Sequence, residues 1–134
     1  MLTRTFGLAL ALTFIIAMPS LASDRFEPYS DARLAALQSE GHPVLVEVYA
    51  DWCSTCRRQS PILKEILGED EFSDVVALKL DWDAQRSEAR ALGAPRQSTL
   101  FVFRGGERIG MSVAETDEQR LRAFLGDLVT PAPR

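Results

Sequence analysis

The stretch YADWCSTCRRQSP, Tyr49 to Pro61, holds both cysteines of the 134-residue chain, Cys53 and Cys56. Two thiols this close have three chemical uses. As a staple they would close a very small loop, worth about 2 kcal/mol on loop entropy, and would join no distant elements. As a structural zinc site they fall short, because zinc takes four ligands and the lone His42 makes only a third. His42 stands before Pro43 with no second ligand near it in sequence, and reads as a loop residue. Thiol–disulfide exchange remains, in which one sulfur attacks a disulfide and the other resolves the mixed disulfide.

That chemistry needs an ionised attacking sulfur, and a helix start supplies one. Unpaired N–H groups and the partial positive charge there stabilise a thiolate. The sequence predicts this placement. VLVEVYA, Val44 to Ala50, is an apolar, β-branched run of the kind found in a strand buried on both faces. Cys53 to Leu67 follows as a helix interrupted by Pro61 and stopped by Gly68. Cys53 is then the candidate nucleophile at the helix start, and Cys56, one turn further in, the candidate resolving thiol.

The remaining elements alternate. SDARLAALQSEG reads as a helix capped by Ser30 or Asp31 and stopped at Gly41. VVALKLDWD is a second strand and AQRSEARALG a short helix ending at Gly93. TLFVFR and ERIGMSV flank Gly105-Gly106 as an antiparallel hairpin. TDEQRLRAFLGDL is a last helix with Thr116 and Gln119 spaced for a capping box, and TPAPR is a tail. The fold class is α/β: a small mixed sheet with helices on both faces and the cysteines at the carboxyl end of a central strand.

Three neighbours bear on the chemistry. Glu47 is the single carboxylate of its apolar strand. Beneath the helix it would take the proton of Cys56 through water; as a salt-bridge partner of Lys79 it would be structural, and the two roles are compatible. Trp52 either shapes a docking surface beside the thiol or packs in the core. Arg57 and Arg58 are a local basic exception on an acidic chain.

The chain is long enough for one domain, and 46% hydrophobic with 25% charged residues places it in the globular class. Residues 1–22 read as a signal peptide: a basic start with Arg4, an apolar run from Phe6 to Met18, Pro19, then small residues around Ala22. The run is short for a membrane span, and an uncleaved N-terminal anchor stays open as the alternative. Cleavage leaves residues 23–134 with 14 basic and 19 acidic side chains, a net charge of −5. That balance suggests neither nucleic acid nor an anionic membrane as partner. Export implies a periplasmic or other extracytoplasmic site.

With these residues in place the sequence resembles the thioredoxin family. VLVEVYADWCSTC matches that family's strand, acidic residue, Trp and C-x-x-C, and Pro61 its helix-kinking proline. LKLDWD places Lys79 at the family's buried lysine, and TLFVFRGGERIG matches its hairpin. YADWC, GHPVLV and the export signal are most similar to periplasmic members, including the C-terminal domain of DsbD-type disulfide reductases. The resemblance implies a thioredoxin-like fold without cofactor, acting as a monomer on protein disulfides or dithiols, with a membrane thiol carrier as electron donor. Substrates in cytochrome c biogenesis or metal delivery fit that implication. Disulfide oxidase or isomerase activity stays open. So does a binding role, in which two chains pool four thiolates around a metal or iron–sulfur cluster.

Several residues depart from the family pattern. The dipeptide Ser54-Thr55 lacks the histidine of strong oxidases, and Glu47 stands where most members have Asp. Counting back from Thr99, a supporting residue at the strand start, Ser98 occupies the family's cis-proline place; Pro95 is three residues too early. A cis Gln97–Ser98 bond would cost ~3–4 kcal/mol, so a trans bond is expected. Serine adds a backbone N–H and a hydroxyl, both expected to face the sulfurs, and the missing ring is expected to leave the cleft more open to metal ions.

Overall fold

The structure is a computed structural model and describes residues 25–130. The expected signal peptide and its cleavage point lie outside the described residues. Five strands run β1 (Phe26–Pro28), β2 (Val44–Tyr49), β3 (Val76–Asp81), β4 (Thr99–Arg104) and β5 (Glu107–Val113). Four helices are α1 (Asp31–Ser39), α2 (Ser54–Leu67), α3 (Arg86–Leu92) and α4 (Glu118–Val129). The sheet order is β1-β3-β2-β4-β5. β1 and β2 pair parallel to β3, whereas β4 pairs antiparallel with β2 and β5.

β2 sits at the centre, and Val44, Leu45, Val46, Glu47 and Val48 are all fully buried. Its alternate residues serve two cores. Leu45 joins Leu63, Ile66 and Leu67 of α2 and Leu121 and Leu125 of α4. Val44, Val46 and Val48 join Leu34 and Leu37 of α1 and Ala89 of α3. A helix layer on each face therefore explains the unbroken apolar run. Burying each such Leu or Ile contributes about 1.5–3 kcal/mol.

Local signals set the boundaries. Ser30 caps α1 by accepting from the Arg33 N–H at 3.1 Å. Gly105 and Gly106 both take positive φ, 61° and 81°, as a two-residue hairpin turn requires. The expected capping box at α4 does not form. Asp117 is the cap, accepting from the Arg120 N–H at 2.9 Å, while the Thr116 N–H donates to Glu115. A carboxylate one residue nearer the helix accepts without needing a reciprocal glutamine. Two elements carry no periodic signal in the sequence. β1 is three residues long, and a 3-10 turn at Asp70–Phe72 buries Phe72 against α2's side of the sheet.

At Gly110 on β5 a Cβ would stand 3.0 Å from both Phe124 Cε2 and Val102 Cγ2. Gly110→Ala is expected to destabilise the fold by about 1–3 kcal/mol through overpacking. Urea denaturation should show a lower midpoint with an unchanged slope.

Candidate active site

β2 ends at Tyr49, and a tight turn carries the chain into α2, with the Cys53 N–H donating to the Ala50 carbonyl at 3.1 Å. Cys53 is extended, φ −78° and ψ 110°, and is the N-cap of α2 rather than its first residue. Its sulfur accepts the Cys56 N–H at 3.2 Å, the place usually filled by a serine or aspartate oxygen. Cys56 is fully buried, and Cys53 is 4% exposed. Both are free thiols.

Ser98 comes to them from the turn before β4. Its peptide bond is trans, and its φ of 66° lies in the left-handed region that non-glycine residues rarely occupy. Three bonds hold this conformation. The Ser98 N–H donates to the Val48 carbonyl at 2.8 Å, and its carbonyl accepts from the Ala114 N–H at 2.9 Å and from Gln59 Nε2 at 3.5 Å. The hydroxyl lies 3.2 Å from both sulfurs. A hydroxyl has one proton to give and two lone pairs. The consistent arrangement is Ser98 O–H donating to a Cys53 thiolate while Cys56 keeps its proton.

One expectation for Ser98 is corrected: its N–H is spent on Val48 and does not face the sulfurs. Ser98 is fully buried, with its hydroxyl between the two thiols. Among the described residues no three His, Cys, Asp or Glu side chains gather as a metal site.

The electrostatics separate the thiols. Burial pushes the Cys53 thiol up, but hydrogen bonds from the Cys56 thiol, the Ser98 hydroxyl and the N–H groups of Cys56 and Thr55 outweigh it, so its pKa is lowered. For Cys56, burial raises the pKa, and so does giving its proton to Cys53; the Ser98 bond only partly offsets this. Cys53 is therefore the more acidic of the two sulfurs and Cys56 the less acidic.

Glu47 lies below this pair on the α2 side of β2. It is fully buried; Ser60 Oγ donates to its Oε1, and Oε2 is 3.8 Å from Lys79 Nζ. Glu47 and Lys79 are register partners across β2 and β3. Lys79 is held over the rings of Tyr49 and Phe26, 4.5 and 5.0 Å from their centroids. The expected Glu47–Lys79 pairing is therefore present. Pro61 stands inside α2 right after Ser60. Thr99 is buried at the start of β4, its hydroxyl donating to the Arg96 carbonyl at 2.6 Å.

Trp52 is 56% exposed, which removes the core-packing reading. Its indole N–H donates to Asp83 at 2.8 Å, fixing the ring beside Cys53 on the surface. Arg57 donates to the Asp51 carbonyl at 2.9 Å, and His42 lies on the surface 3.4 Å from Glu40. Sequence reasoning missed three residues. Trp82 packs against the Ala50, Cys53 and Cys56 cluster. Gln59 bridges the Ser98 carbonyl and, at 2.8 Å, that of Glu115. Ser60 bonds Glu47. Gln59 and Ser60 are buried polar residues in the C-x-x-C helix; a polar residue on the apolar stripe of α2 was the available signal.

A dithiol at a helix start, with split acidities, at the carboxyl edge of a mixed sheet, defines a thiol–disulfide oxidoreductase. Comparison with known proteins narrows the class. The thioredoxin family model matches residues 29–127. Thioredoxin from Synechocystis is 35% identical over 83 residues, 62% of this chain and 77% of that one. Thioredoxin from Mycobacterium tuberculosis is 33% identical over 101 residues, 75% of this chain and 86% of that one. The crystal structure of Trxlp from Edwardsiella tarda superimposes with a TM-score of 0.72 at 38% identity, covering 75% of this chain and 97% of that one. The chain belongs to the thioredoxin family and is a thioredoxin-type thiol–disulfide oxidoreductase.

Removing the Ser98 hydroxyl should weaken the thiolate. Ser98→Ala is expected to raise the Cys53 pKa by about one unit or more, the worth of a hydrogen bond to a charged group. The alkylation rate of Cys53 followed against pH should shift its midpoint upward accordingly; an unmoved midpoint would mean the hydroxyl bonds only Cys56.

Proposed function

We propose that this protein is an exported reductant of protein disulfides, with Cys53 as nucleophile and Cys56 as resolving thiol. The observation that carries the assignment is the split of acidity between the two sulfurs. Cys53, the helix cap with lowered pKa, attacks a substrate disulfide and forms the mixed disulfide. Cys56, buried and protonated, is held 3.2 Å from the Ser98 hydroxyl, on the side from which it displaces the substrate. Glu47 receives the Cys56 proton, and Lys79 holds the carboxylate in place. Trp52, anchored to Asp83, presents a flat aromatic face to the substrate beside the exposed edge of Cys53.

The cellular setting comes from the N-terminal segment. Residues 1–22 have the make-up of a cleaved export signal, which sends the domain to the periplasm or an equivalent compartment. A relative from Mycobacterium leprae, 34% identical over 95 residues, is a bifunctional thioredoxin reductase/thioredoxin; this chain covers 20% of it. For an exported protein the donor proposed is a membrane thiol carrier instead. Ser54-Thr55 offers no histidine to favour the thiolate, which supports a reducing direction. Disulfides of cytochrome c maturation or of metal-delivery proteins are suitable substrates, since both need reduced cysteines in an oxidising compartment.

Two measurements test this reading. Cys56→Ser should accumulate a mixed disulfide with substrate proteins in periplasmic extracts, while Cys53→Ser traps nothing; trapping through Cys56 alone would reverse the roles. The Cys53–Cys56 couple, equilibrated with glutathione, should lie near about −270 mV, whereas a value near about −120 mV would mark an oxidase.

A further inference from the structure

The two oxygens of Glu47 face different ways. Oε1 accepts from the Ser60 hydroxyl on α2, and Oε2 lies 3.8 Å from Lys79 on β3. Ser60 is 7% exposed and follows Cys56 by four residues on the same helix. Residues at that spacing lie one above the other, so the Cys56 sulfur and the Ser60 hydroxyl share one buried face of α2. A serine inside a helix commonly donates back to the carbonyl four residues earlier, here that of Cys56. Ser60 donates across to the carboxylate instead. On the other side, Lys79 opens onto a cleft of about 370 Å³ lined also by Phe26, Tyr49, Asp51 and Asp81. The acid is thus slung between the redox helix and a solvent-facing cleft, with one oxygen assigned to each.

We propose that Ser60 is a positioning residue for the exchange reaction: it anchors the Glu47 carboxylate on the Cys56 face of α2, so that the proton shed in resolution passes to Glu47 and leaves by the Lys79 cleft. This rests on the reading of Cys56 as resolving thiol. In the step, the Cys56 S–H proton goes to the Glu47 carboxylate, and the sulfur's electron pair forms the Cys53–Cys56 bond. The bond between Cys53 and the substrate sulfur breaks, its electrons leave on the substrate thiolate, and that thiolate takes a proton from water. The protein dithiol is oxidised and the substrate disulfide reduced. Glu47 then returns its proton to water in the cleft. The longer reach of glutamate suits this geometry, because the carboxylate must span from the central strand to the second turn of α2. The titratable group that faces it is Lys79 from β3, with Glu27, Tyr49, Asp51 and Asp81 around the cleft, and Cys56 lies one helical turn before Ser60 on α2.

The test is stopped-flow reaction of the reduced protein with dithionitrobenzoate. The first thionitrobenzoate released reports attack by Cys53, and the second reports resolution by Cys56. Ser60→Ala should leave the first phase unchanged and slow the second about tenfold at neutral pH, the worth of one hydrogen bond to a charged group. The slowing should fade at alkaline pH, where Cys56 ionises unaided. Ser60→Thr should restore the second phase, and Ser60→Ala should add nothing to Glu47→Gln. A wild-type second phase at every pH, equal slowing of both phases, or an additive loss in the double variant would overturn the proposal. Thermal melts accompany each variant. If Ser60→Ala does not fold, the double variant, which strands no buried charge, is compared with Glu47→Gln: equal second phases support the proposal and a slower one overturns it. A wild-type protein lacking the second phase would instead overturn the resolving role of Cys56. Slowing in Glu47→Gln but not in Ser60→Ala would overturn the role of Ser60 alone.

Discussion

The first turn of α2 ends in N–H groups that need an acceptor, and the sulfur of Cys53 is that acceptor. A neutral thiol is a poor hydrogen-bond acceptor and a thiolate a good one, so the helix start and the reactive charge stabilise each other. The geometry leaves little freedom. The sulfur must sit at the cap, the cap must follow β2 within a few residues, and β2 must be central for the helix to lie across the sheet. Leu63, Ile66 and Leu67 fix the far end of α2 in the core, so the cap cannot drift without moving fourteen helical residues.

β2 carries the second half of the arrangement. Its Val48 carbonyl accepts the Ser98 N–H, which brings the turn before β4 against the sulfurs. One residue earlier, Glu47 points the other way, to Ser60 and Lys79. Adjacent residues of one strand thus serve the donor above the thiolate and the carboxylate below the thiol. The left-handed backbone at Ser98 is held by its partners on both sides, Val48 and Ala114. Glu115 extends that frame: its carboxyl, bonded by Arg120 and by the N–H groups of Asp117 and Thr116, is held at about 2, and its carbonyl anchors Gln59.

What was legible in the sequence was what repeats or is chemically singular. The buried run of β2, the glycine stops, the paired glycines of the hairpin and the lone acid among valines each announce a structure through one local rule. Lys79 was legible as the natural partner of that acid and through the likeness of LKLDWD to the family's next strand, and the register pairs the two. Ser60 was not, because its role depends on how α2 is rotated over the sheet and how far a glutamate reaches. Neither quantity is local. The orientation of the Ser98 N–H was misjudged for a related reason: a residue replacing proline regains a donor, but the nearest strand carbonyl claims it first. The cap of α4 shows a finer limit, since Thr116 and Asp117 are both good capping residues and only the path of the chain chooses between them.

The donors gathered around Cys53 have a thermodynamic side. Hydrogen bonds to a thiolate are largely lost when the sulfur enters a disulfide, so each one favours the dithiol over the oxidised form. By the closed cycle linking folding and oxidation, whatever raises the stability of the reduced protein relative to the oxidised one makes it hold its electrons more tightly. Ser98 and the start of α2 therefore trade reducing power for speed of attack. Only one of these donors is open to adjustment by substitution, because the hydroxyl is a side chain and the helix N–H groups are backbone that no substitution can delete short of proline.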